Sequence, residues 1–160
     1  MWRRIITLPV AAVIVAADQL TKSWIRHNLP LGASLHEVCR VRIIHIQNTG
    51  AIFGIFPGQS LLLTVIAFIA LVLMIIFFRR FGRASLLGGI AIGFVFGGAV
   101  GNLIDRLRFG GAVTDFIYVR LWDDVFWPAF NIADASLSVG IILLIGFIIW
   151  GMRQQGEFKF

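Results

Sequence analysis

Apolar residues dominate the chain in long uncharged runs, over 61–78, 84–104 and 135–152. Each is close to the roughly 17 to 25 residues that a helix needs to cross a hydrocarbon core, so three membrane-spanning helices follow from the pattern alone. A fourth run, behind Arg3 and Arg4, is shorter and gives way to polar residues after Ala17. It admits two readings. Val15-Ala16-Ala17 fits the small-residue cleavage site of a removable signal peptide. Alternatively the helix continues through Asp18 and Lys22 to Trp24, an acid and a base four apart on one face turned toward protein, with Trp24 at the membrane interface. Spans are then expected at about 5–24, 61–78, 84–104 and 134–152, within one domain over 1–160.

Between the runs the pattern changes. Residues 26–60 are mixed, and β-branched Val41 to Ile46 predicts a strand, broken by the turn chemistry of Gln47-Asn48-Thr49-Gly50. Ala51-Ile52-Phe53-Gly54 carries an apolar surface onward. The glycine-rich 84–104 run allows close helix packing, and at its far end Asn102, Asp105 and Arg106 fall at i, i+3 and i+4, on one helical face. A Gly110-Gly111 turn then leads to a Val, Ile, Phe and Tyr-rich stretch that puts Asp115 on an extended segment. Phe126 to Phe130 reads first as an aromatic belt. Asn131 precedes the last helix and Asp134 falls in its first turn, a legitimate capping arrangement in its own right.

Composition sharpens the class. With 59% hydrophobic and 14% charged residues, the chain reads as an integral membrane protein. The net charge of +6 reads as topology rather than nucleic-acid binding, since no basic run is interleaved with aromatics. With four spans, Arg3, Arg4, Arg79, Arg80, Arg83, Arg153 and Lys159 share one side with Glu157, which makes that side, and both termini, cytoplasmic. The other two loops carry Arg26, Arg40, Arg42, Arg108 and Arg120, diluted by length and offset by Glu37, Asp123 and Asp124. Cys39 has no partner cysteine in the chain, and His27, His36 and His45 lack ligand spacing, so neither a metal nor a cofactor is expected.

This topology gathers Asp18, Lys22, Asn102, Asp105, Arg106, Asp115, Asn131 and Asp134 at the extracytoplasmic rim. Such a cluster is costly at the bilayer edge unless it is paired, hydrated or used. No serine, cysteine or histidine arrangement suggests a nucleophile, but two carboxylates suffice for hydrolysis when one ionises and the other keeps its proton. Asp115 and Asp134 are the candidates. Asp18 and Asp105 compete, yet each has a basic neighbour, Lys22 and Arg106, that assigns it to a structural ion pair. A proton or ion relay through the buried acids, and an assembly factor with a merely structural cluster, are the rival classes.

Five blocks then resemble, in order, those of the bacterial lipoprotein signal peptidase (signal peptidase II) family: DQLTK from Asp18, NTGAIFG from Asn48, GGAVGNLIDR from Gly97, VTDFI from Val113 and FNIADASLSVG from Phe130. The resemblance implies an aspartyl endopeptidase that cleaves prolipoproteins before the diacylglyceryl-modified cysteine, with catalytic Asp115 and Asp134. It assigns supporting or substrate-binding places to Asp18, Lys22, Asn48, Gly54, Asn102, Arg106 and Asn131. Thr114 and Ile52 stand at variable places in the blocks. The implied fold is an all-α membrane protein, a four-transmembrane-helix bundle with a small extracytoplasmic β-sheet, whose first helix is retained. The implied partners are lipidated prolipoproteins and membrane lipid, with no oligomer required.

Overall fold

The computed structural model describes residues 6–50, 59–81 and 86–154. Gly54, the apolar segment around it, Arg3, Arg4, Arg83, Glu157 and Lys159 lie outside the described residues. The described residues form four long helices: α1 (Thr7–Asn28), α2 (Ser60–Phe81), α3 (Leu86–Arg108) and α4 (Ile132–Gln154). Three strands, β1 (Val41–Asn48), β2 (Val113–Trp122) and β3 (Val125–Phe126), form one antiparallel sheet in the order β1-β2-β3.

α1 is a single helix that continues four residues beyond Trp24. Its buried stripe is Thr7, Ala11, Ile14, Asp18, Lys22 and Ile25, spaced by three and four. That is one face of a helix, so the ionisable pair extends the same stripe that begins apolar. The stripe packs on α3, where glycines permit close approach. A Cβ at Gly93 or Gly97 would come within 3.0 Å of α1 atoms, and one at Gly98 would collide with the carbonyl oxygen of Ala133 on α4. α3 thus sits between α1 and α4, with its small residues turned toward both.

Among the described residues, two helices, α3 and Ile132–Gly151 of α4, are long and apolar enough to cross a membrane. α2 holds a shorter apolar stretch, Ser60–Ile76, and leaves Leu61, Phe68 and Ile76 more than half exposed. α1 spends part of its length on charges, but these face α3, while Leu8, Val13, Leu20 and Trp24 face outward. Exposed apolar side chains on helices of this length suit lipid rather than water.

The sheet is buried at one end of β2, over Val113 to Phe116, and its β1–β2 pairing carries one irregularity. β1 pairs with β2 through Val41↔Val119 at one end and Asn48↔Val113 at the other, with a register shift between Ile43 and Ile46. Ile44 and His45 there oppose Phe116 alone, a bulge of one residue in β1. The strand runs two residues past Ile46, because Gln47 and Asn48 continue the ladder against Thr114 and Val113. The expected turn therefore begins only at Thr49, where the Gly50 N–H donates to Asn48 Oδ1 at 2.9 Å. The aromatic cluster is also redistributed. Phe126 stacks on Tyr118 with ring centroids 4.4 Å apart and lies beneath the guanidinium groups of Arg42 and Arg120, so this ring belongs to the sheet rather than to a free interfacial belt.

Candidate active site

Strand and helix geometry deliver Asp115 and Asp134 to one place. On β2, Asp115 lies diagonally across from Asn48 on the same sheet face, and the Asn48 amide donates to Asp115 Oδ2 at 3.0 Å. Asp134 is the third residue of α4, and Asn131 is its cap. Asn131 Oδ1 accepts the Asp134 N–H at 2.9 Å while Asp134 Oδ2 accepts the Asn131 N–H at 3.2 Å, a reciprocal capping box. The free end of the same asparagine reaches across. Asn131 Nδ2 donates to Asp115 Oδ1 at 2.7 Å and to Asn102 Oδ1 at 3.2 Å.

Asn131 therefore touches both carboxyl groups, one through its side chain and one through its backbone. The cap and the site are the same residues. Asn102 repeats the pattern from α3: its Nδ2 donates to Asp134 Oδ1 at 2.7 Å, and its Oδ1 accepts from Lys22 Nζ at 2.9 Å. Asn48, Asn102 and Asn131 are each oriented by a donor to the amide oxygen and an acceptor for the amide N–H.

Beneath this layer lies a fully buried charged one. Lys22 Nζ is 2.9 Å from Asp18 Oδ2 and 3.6 Å from Asp105 Oδ2, all three side chains being inaccessible to solvent. Asp18 Oδ1 accepts the Ala133 N–H at the start of α4, which anchors α4 to α1. Gly101 is required by this contact, since a Cβ there would sit 2.7 Å from Asp18 Oδ2.

Asp105 departs from the sequence expectation. Its partners are Lys22 and Arg26, not Arg106, and Gln19 Nε2 reaches its other oxygen at 3.1 Å. Successive helical residues diverge by about 100°, so Asp105 and Arg106 cannot face one another. Arg106 instead donates to the carbonyl oxygens of Gly111 and Gly50, at 3.0 and 3.3 Å, and ties the two loops at the mouth of the site to α3. Gln19, Arg26 and Thr114 join the cluster without having been singled out from the sequence. Gln19 lies three residues before Lys22 and Arg26 four after it, spacings that return each to the side of α1 on which Lys22 sits, a signal available in the periodicity.

A cavity of about 900 Å³ opens over the two acids. Asn48, Asn102, Arg106, Asp115 and Asp134 form its polar floor, and Trp127, Phe130, Ala135 and Val139 form an apolar wall that descends along α4. Burial pushes the Asp115 carboxyl up from 3.8 to about 7; the nearby Asp134 charge presses the same way, and hydrogen bonds from Asn48 and Asn131 and the charge of Lys22 oppose it only in part. Among the described residues, no group of three or more His, Cys, Asp or Glu side chains is placed to hold a metal ion.

Known proteins share this arrangement of elements. The family described as signal peptidase (SPase) II matches over residues 10–150. The lipoprotein signal peptidase of Syntrophotalea carbinolica is 39% identical over 156 residues, covering 94% of this chain and 95% of that protein. That of Bacillus velezensis is 40% identical over 149 residues, covering 92% and 96%. A solved bacterial membrane enzyme superposes with a TM-score of 0.85 at 32% identity, covering 96% of this chain and 93% of the other. With a match that runs from the first helix to the last, the chain belongs to the signal peptidase II family.

Proposed function

We propose that this protein is an aspartic endopeptidase that removes signal peptides from prolipoproteins, cutting before the diacylglyceryl-modified cysteine with a water molecule activated between Asp115 and Asp134. The observation that carries the reading is Asn131, which holds both carboxyl groups at the floor of one cavity. A carboxyl at about 7 keeps a proton that an ordinary aspartate has lost by neutral pH. The pair then has one ionised member to take a proton from the attacking water and one protonated member to donate to the scissile carbonyl oxygen. Asn48, Asn102 and Arg106 line the same floor and supply polar contacts for a peptide backbone, whereas Asp18 and Lys22 lie beneath it and hold the helices. Gly54, outside the described residues, is counted among the substrate-binding or supporting residues by family resemblance alone.

The same reading takes residues 1–160 as one unit with all four helices crossing the bacterial cytoplasmic membrane and both termini on the cytoplasmic side. Apolar exposure on α1, α2 and α4 supports it. The apolar wall along α4 then lies where acyl chains attached to the substrate can stay in lipid while water reaches the polar floor. Purified protein incubated with a diacylglyceryl-modified prolipoprotein is expected to release the signal peptide, and Asp115→Asn and Asp134→Asn are each expected to abolish release. Wild-type turnover in either variant contradicts the two-carboxylate chemistry.

A further inference from the structure

The residue before Asp115 is held more tightly than any role in the sheet requires. Thr114 is 1% exposed, and each of its polar groups is taken by a different helix. Its N–H donates to Asp105 Oδ2 on α3 at 3.0 Å, its hydroxyl oxygen accepts from Arg26 Nη1 on α1 at 2.9 Å, and its carbonyl oxygen accepts from Asn131 Nδ2, at the start of α4, at 3.3 Å. Arg26 is itself fixed, 3.5 Å from Asp105 Oδ2 and 4.6 Å above the Phe109 ring. Neighbouring strand residues point to opposite faces, so Thr114 faces the helices while Asp115 faces the cavity.

Resting on the proposed peptidase chemistry, we infer that Thr114, clamped by Arg26 and Asp105, is a positioning residue that sets where the Asp115 carboxyl sits and how dry it stays. Thr114 touches neither the cavity floor nor the reacting atoms; it acts through the peptide link to Asp115. Three anchors from three helices fix that link to the bundle, in addition to the pairing of Thr114 and Asp115 with Gln47 and Ile46 of β1. Misplacement of a reacting group by about 1 Å costs up to roughly 100-fold in rate, which gives such a clamp kinetic weight.

The test uses the full chain in detergent or bilayers with a lipidated prolipoprotein, and reads kcat/KM across pH. Thr114→Val removes the hydroxyl at constant shape, Thr114→Ser keeps it, and Arg26→Gln removes its partner from another element. Groups facing Asp115 are Asp134 from α4, Lys22 from α1 and Arg106 from α3, and none of these is altered. Loosening the strand admits water to Asp115, lowers the pH at which the pair loses its proton and moves the alkaline limb of the profile downward by about half a pH unit or more, with kcat/KM reduced about tenfold. Thr114→Val and Arg26→Gln should both show this shift, their combination should be no worse than the stronger single change, and Thr114→Ser should restore the wild-type profile. A purely structural role would lower the yield of folded protein and leave the limb where it is. If Asp115→Asn is inactive while Thr114→Val and Arg26→Gln keep the wild-type limb, the clamp is refuted and the peptidase reading stands. If Asp115→Asn cleaves normally, both are overturned.

Discussion

Asp115 links stability to pH with a definite sign. Its carboxyl titrates at about 7 in the folded protein against 3.8 in the unfolded chain. Below the lower value both states are protonated and burial costs no charge. Between the two values the unfolded chain has lost its proton and the folded one has kept it, so folding stability falls as pH rises, levelling off above 7. Over the full window the loss is on the order of 4 kcal/mol. Asp115→Asn removes the titration, so its unfolding free energy should fall less between pH 4 and 8 than the wild type's, measured by denaturation in detergent. The new amide meets donors from Asn48 and Asn131, which offsets the whole curve but not its slope; parallel curves would refute the shifted carboxyl. Legibility at this scale followed distance along the chain. The Asn131 and Asp134 box joins residues three apart and was readable from spacing. The Asn48 contact to Asp115 depends on strand register, and the partners of Asp105 depend on helix rotation, neither of which one segment determines alone.

Among the elements, α3 carries the architecture because its glycines decide how near α1 and α4 come. Gly98 faces backbone: a methyl group there meets the Ala133 carbonyl oxygen and Leu137, and neither can move without shifting α4 and its cap. Gly146, on α4, has nothing within 4 Å of where a Cβ would lie. Gly98→Ala should therefore destabilise the protein by about 1 to 3 kcal/mol and displace Asp134 from Asn102. Gly146→Ala should be neutral or stabilising by up to about 1 kcal/mol, through better helix propensity. Thermal unfolding of the two variants side by side checks the contrast, and equal losses would mean that helix packing in lipid does not follow these contacts. The glycine-rich run was legible as a packing surface. Which glycine meets which helix was not, since a small residue is marked in sequence by what it lacks. The bulge at Ile44 and His45 was likewise hidden, because it arises from pairing with Phe116 rather than from turn residues.

For the whole molecule, sidedness is the property on which the proposed chemistry depends, and the chain contains its own probe. Cys39 is the single cysteine in the sequence, and it is exposed. It sits just before β1 in a tight connection, with φ of 50° at Cys39 and 67° at Arg40, and Val38 and Val41 exchange backbone hydrogen bonds of 2.9 Å across it. That connection lies at the end of the sheet remote from Asn48 and Asp115, so labelling there leaves the site unobstructed. If all four helices cross the membrane with Arg79, Arg80 and Arg153 inside, the segment between α1 and α2 lies outside, and Cys39 with it. A membrane-impermeant maleimide added to intact spheroplasts should then modify the protein without permeabilisation, and cleavage of lipidated substrate should persist in the labelled protein. Modification only after the membrane is opened would invert the topology. It would place the two carboxylates on the cytoplasmic side, where the bridging asparagine and its cavity would face a different set of substrates.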